Sequence, residues 1–99
     1  MSALPPRTIR LDGELDIQRA RELGAALSQA VGDVTHAPIV DLRGVTFMDS
    51  TALGALARAA EQLRNQGREL ALVTAPGQVR DVIDVAGLSD RFALHSVLP

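Results

Sequence analysis

A chain of 99 residues allows one domain with a single core and excludes a second. Its residues are 46% hydrophobic but only two are aromatic, both phenylalanine, so the core must be built from Leu, Val, Ile and Ala, which suits helices packed on a sheet. The formal charge of −2, with ten basic residues that are all arginine and scattered from Arg7 to Arg91, excludes the basic face and aromatic platforms of a nucleic-acid binder.

The absence of cysteine removes disulfides, thiol chemistry and Cys-based metal sites together. The start, MSALPPRTIR, has no apolar signal region, and no run approaches membrane-spanning length. The expectation is a soluble, cytoplasmic protein without direct membrane insertion.

Residues 1–7 are expected to be a flexible N-terminus, because Pro5-Pro6 lacks two backbone donors. The domain proper is expected over 8–99. Thr8 to Asp12 alternates apolar with polar residues, the pattern of a half-exposed edge or near-edge strand, and Gly13 marks its end. Asp16 then caps a helix of about four turns, in which Ile17, Ala20, Leu23, Ala26, Leu27, Ala30 and Val31 share one face. Gly32-Asp33 closes that helix, and Pro38 opens the next strand.

Ile39-Val40-Asp41-Leu42 reads as a buried, central strand, with Gly44 to Met48 carrying the chain out of it. Leu53, Leu56, Ala57, Ala60 and Leu63 then mark a second amphipathic helix. Asp49-Ser50-Thr51 crowds its first turn. On its own this triplet has an ordinary explanation, since Asp, Ser and Thr are preferred N-caps whose oxygens accept from unpaired backbone N–H groups.

Asn65-Gln66-Gly67 stops the second helix, and a strand follows at Glu69 to Thr74. Pro76 is expected to open a third helix with Val79, Val82, Ile83 and Ala86 inward and Gly87 as its stop. Phe92 to Val97 can add a last short strand. Strands alternating with helices predict an α/β fold, a mostly parallel four-stranded sheet with about three helices packed on it. Ser50 would then lie at the carboxyl end of a parallel strand, near Asp16, where open α/β sheets keep their sites.

Catalysis lacks its parts. His36 and His95 are expected at other ends of the elements from Ser50, neither has a second ligand at metal spacing, and there is no G-x-S-x-G elbow or phosphate-cradling loop. Asp16 and Asp49 as an acid–base pair would need a pocket. No cofactor requirement is visible.

Four stretches carry a resemblance. Phe47-Met48-Asp49-Ser50-Thr51 followed by Leu53-Gly54 resembles the phosphoacceptor segment of STAS domains, the family of anti-sigma factor antagonists and sulfate-transporter C-terminal domains. Leu11-Asp12-Gly13-Glu14-Leu15-Asp16 resembles the family's Gly-Glu-Leu-Asp turn. Gly67 to Val73 is similar to its next strand, and Ile83 to Leu88 to its late Asp-x-x-Gly-Leu helix end. The resemblance spans about Thr8 to Leu94.

It implies a single STAS-like domain acting as an anti-sigma factor antagonist. The unphosphorylated form would bind an anti-sigma factor serine kinase and release sigma factor; phosphorylation at Ser50 would end binding, and a serine phosphatase would restore it. Asp16, Asp49, Ser50, Thr51, Ala52 and Leu53 would form the contact surface. A phosphate on Ser50 would bring about −1.5 to −2 charges to a helix N-terminus that can tolerate them, while making the face too negative for the same partner.

Three departures accompany the resemblance. Ala52 stands where the family usually has glycine, which is expected to set a methyl beside the hydroxyl that a kinase approaches. Met1 to Arg7 is too short and proline-rich to supply the family's additional first strand, so an open edge that invites pairing is expected, and the stretch up to Pro99 is not expected to supply the usual last helix, which would leave apolar surface. A second class is similarly short: the STAS adaptor subunit of lipid-transport ABC assemblies, or another signalling scaffold, without a serine switch.

Overall fold

In the computed structural model the described residues are 4–99; residues 1–3, part of the expected flexible N-terminus, lie outside them. Strand β1 spans Pro6–Leu15, so Pro6 and Arg7, expected to be flexible, already pair with Ala37 and Pro38. An ion pair from Arg7 Nη1 to Asp33 Oδ2 at 3.2 Å helps to hold that start. Gly13 does not end the strand. It takes a φ of 71° within it, a left-handed conformation open to glycine at little cost.

Helix α1 (Ile17–Gly32) is capped as expected: the Asp16 carboxylate accepts from the N–H groups of Gln18 and Arg19. Strand β2 spans the 12 residues Ala37–Met48, well beyond the expected Ile39 to Leu42, because Gly44 to Met48 continues the ladder. The pairing passes from Arg10 opposite Asp41 to Asp12 opposite Gly44, and again from Gly13 opposite Val45 to Glu14 opposite Phe47. Each step leaves one extra β2 residue, a bulge that bends the strand. A Cβ at Gly44 would meet Leu11 O and Asp12 Cβ at 3.2 Å, so the close approach of the two strands favours glycine there.

Helix α2 (Ser50–Asn65) and strand β3 (Ala71–Val73) follow, the strand shorter than the six residues expected for it. Helix α3 (Gln78–Val85) starts later than Pro76, since Gly77 between them has a φ of 143°, far from helical. A single turn, Ser89–Arg91, leads to strand β4 (Ala93–His95). The sheet order is β1-β2-β3-β4, all parallel, which confirms the four-stranded α/β expectation and puts β1 at an edge.

Because each crossover moves one strand in the same direction, a right-handed connection places every helix on one face. The packing agrees: Leu23 and Leu27 of α1, Leu56 and Leu63 of α2 and Ile83 of α3 share one cluster with Val40, Leu42 and Leu72 of the sheet. Each such buried side chain contributes about 1.5–3 kcal/mol. Arg68 ties the far end together, donating to the carbonyls of Val31 (3.1 Å), Asp33 (2.8 Å) and His36 (2.7 Å).

Asp41 is the buried charge of β2. Arg43 grips it through Nε at 3.0 Å and Nη2 at 2.9 Å, and Arg10 Nε lies 3.5 Å away. The Arg43 bond holds the Asp41 carboxyl at about 2, below its ordinary 3.8. Thr35, with weaker help from Arg7 and His36, lowers Asp33 likewise to about 2. Both folded values lie below the unfolded ones, so their stabilisation is complete above pH 3.8 and is lost as pH falls through about 2. Denaturant midpoints should therefore fall across that window, and Asp41→Asn should lower the neutral midpoint while flattening the acid limb.

Candidate functional site

The carboxyl ends of β1 and β2 finish in register, Leu15 opposite Met48, and the Asp49 N–H donates to Leu15 O at 3.2 Å. Neighbouring strands lie about 4.8 Å apart, so the two turns that follow run side by side. Asp16 and Asp49 are the N-caps of α1 and α2, and the two helices pack against one another. The expected approach of Asp16 to the Ser50 turn is thus built into the register.

Asp49, not Ser50, caps α2: its Oδ1 accepts from the Ala52 N–H at 2.9 Å. Ser50 is the first helical residue and is exposed, as is Thr51. Its hydroxyl therefore has no capping duty. Helix geometry leaves the first N–H groups without intrahelical acceptors, so an anion on Ser50 would meet donors and the positive end of the dipole.

The Ala52 methyl is fully buried in the core cluster. It points away from solvent, so the crowding expected at the hydroxyl does not arise. Ala52→Gly should leave the phosphorylation rate unchanged and lower stability by about 1 kcal/mol, measured by parallel kinase assays and denaturant melts. A faster rate would show that the methyl does obstruct.

Beside Ser50 opens an apolar hollow of about 730 Å³, lined on the α2 side by Phe47, Asp49 and Leu53 and on the α3 side by Asp81, Val82 and Val85. Val85 is 89% exposed and Phe47 42%. Its lining contains two carboxylates and no cation. Gln78 fixes the floor: its Oε1 accepts from Met48 N–H at 3.0 Å and its Nε2 donates to Met48 O at 3.2 Å, tying α3 to the strand end before Ser50.

Sequence reasoning missed Gln78, Asp81 and Val85. The only signal was that Val85 falls outside the inward stripe of α3. It also placed Ala86 inward, whereas Ala86 is exposed at the end of the hollow.

A further cation serves the last residues of β1. Arg19 Nη1 donates to the carbonyls of Asp12 and Glu14, the latter at 3.2 Å, which fixes the Gly13-Glu14-Leu15-Asp16 path.

His36 lies at the start of β2, at the opposite end from Ser50, bonded to Asp33 Oδ2 at 2.9 Å. His95 ends β4, and the register sets it level with Val73 and Asp41, seven residues short of the Met48 end of β2, so it too stands apart from Ser50. It stands two strands away, in a separate hollow with Thr74 and Arg80. Among the described residues, no cluster of three or more His, Asp or Glu is arranged to hold a metal ion. None of the helices described is long and apolar enough to cross a membrane.

The family profile described as STAS domain matches residues 4–98. A curated relative, the anti-sigma-B factor antagonist of Staphylococcus aureus, is 29% identical over 82 residues, covering 83% of this chain and 76% of its own. The crystal structure of an anti-sigma factor antagonist from Mycobacterium paratuberculosis superposes with a TM-score of 0.82 at 30% identity, covering 92% of this chain and 77% of that one. The Bacillus cell fate determinant SpoIIAA, solved in its phosphorylated form, shares the fold with a TM-score of 0.72 at 24% identity, covering 97% and 87%.

Proposed function

The chain belongs to the STAS domain family, and from that premise we propose that it is an anti-sigma factor antagonist switched at Ser50. The unphosphorylated chain binds an anti-sigma factor serine kinase and releases sigma factor. Phosphorylation at Ser50 ends binding, and a serine phosphatase restores it. The chain acts by binding rather than by catalysis.

The observation that carries this reading is the division of labour in the first turn of α2. Asp49 makes the cap bond at 2.9 Å while the exposed Ser50 hydroxyl is spare. A phosphate there leaves the fold intact and changes only what a partner meets. The two anti-sigma factor antagonists that the chain resembles, one of them at 30% identity, support the partner class. A phosphorylated relative of the same fold supports the chemistry.

Asp16, Asp49, Ser50 and Thr51 form the polar part of the proposed contact surface. Leu53 and the hollow beside it form the apolar part, while Ala52, buried and with its N–H held by Asp49, takes part only by fixing the turn. Intact-mass spectrometry with site mapping, after incubation with the cognate serine kinase and ATP, tests the reading. One phosphate confined to Ser50, absent from Ser50→Ala, is expected. No phosphate from a demonstrably active kinase would replace the switch with the unmodified adaptor.

A further inference from the structure

Strand β1 is ten residues long and pairs on one side only. On that side Pro5 O accepts from Ala37 N–H, Gly13 O from Thr46 Oγ1 and Leu15 O from Asp49 N–H. Odd-numbered residues therefore turn their backbone groups to β2. Since a strand's N–H and C=O groups alternate in direction, Thr8, Arg10, Asp12 and Glu14 turn theirs outward. Among the described residues only Arg19 meets that edge, at the carbonyls of Asp12 and Glu14.

The pattern left over is self-complementary. Pairing β1 antiparallel with its own copy, with Ile9 on the two-fold axis, sets Thr8 opposite Arg10 of the second copy and Pro6 opposite Asp12. Thr8 and Arg10 then exchange both main-chain bonds. Asp12 N–H reaches Pro6 O, and the one bond that Pro6 cannot donate would have gone to Asp12 O, which Arg19 already satisfies. Sliding the register by one step toward Asp12 faces Arg10 with itself and asks the Arg19-held carbonyl to accept again. Sliding the other way leaves Arg10 O opposite proline, which has no N–H.

The geometry points to a dimer formed through the outer edge of β1, with a second copy of this chain as the occupant. Ile9, half-buried in one copy, packs on its symmetry mate. Arg10 comes to the joint 3.5 Å from Asp41, which it shares with Arg43. The result is a continuous sheet with both helix layers on one face and the two Ser50 turns at opposite ends.

Sedimentation of the full chain over a range of concentrations, with amide exchange read by NMR, tests this. A reversible monomer–dimer equilibrium is expected. The Thr8, Arg10 and Asp12 amides should exchange at least about tenfold more slowly in the concentrated sample, while those of Ile9 and Leu11 stay unchanged. Because the chain has no cysteine, an Ile9→Cys variant offers a second readout: a pair on the two-fold axis lies within disulfide range and should cross-link on oxidation. A single monomer mass throughout would overturn the proposal. So would a dimer without edge protection or cross-link, or protection independent of concentration, which would mean that the chain covers its own edge.

Discussion

Ser50→Asp is expected to melt at nearly the parent's denaturant midpoint yet bind the anti-sigma kinase at least about thirtyfold more weakly. The two halves have separate causes. A carboxylate at the first position of α2 gains from the helix dipole and loses to Asp49 and Asp16, so the net change should stay within about 0.5 kcal/mol. The same carboxylate in a desolvated interface costs about 2 kcal/mol or more through repulsion and unpaired charge, and that is about thirtyfold in affinity.

Ser50→Ala should melt within about 0.5 kcal/mol of the parent, because the cap belongs to Asp49, and should bind whether or not ATP is present. Titration calorimetry on the three proteins decides the matter. Equal binding by both variants would remove the switch, and a large loss of stability in Ser50→Ala would mean that the hydroxyl has structural work after all.

Arg68→Ala should do the reverse, losing about 2–4 kcal/mol of stability while folded protein keeps its kinase affinity. The guanidinium spans the carbonyls of Val31, Asp33 and His36, which belong to the end of α1 and the approach to β2. Bonds to a charged donor contribute about 1.5–3 kcal/mol, and the partly buried carbonyls left behind lose their partner. Against a total of about 5–15 kcal/mol, that is a large fraction. Arg68→Lys should recover less than half, since an ammonium cannot fork across all three. Urea melts give the first quantity and calorimetry under native conditions the second; a weaker affinity in the folded variant would tie this distant clamp to the site.

The alternation of Thr8 to Asp12 was enough to place β1 at an edge, and Asp16 before a 3.6-period stripe was enough to cap α1. Strand β2 was legible only to Leu42. Beyond it, the two extra residues of the bulges break the period of two, and exposed Arg43 and Gly44 read as a loop. The positions of Ser50 and Asp16 followed from the parallel pattern.

The hollow beside them did not, because Val82 repeats with the core spacing of α3 whether or not anything packs on it. Nothing in the sequence singled out arginines 19 and 68, and only the path of the chain shows the carbonyls they collect. Ala52 misled in a different way. Its neighbourhood to Ser50 along the chain says nothing of direction, and a helix turns the residue two places on toward the other face.

Asp49 capping α2 also bears on how such a regulator can change over generations. If Ser50 carries the message, as proposed, it has no part in holding the helix, and one codon would silence the switch while leaving the chain correctly folded. On that reading Ser50→Ala would give a permanently permissive protein, and Ser50→Asp a permanently restrained one, from the same scaffold. Selection on signalling is thereby uncoupled from selection on folding, and duplicated copies are free to diverge from conditional to fixed outputs without passing through an unstable intermediate.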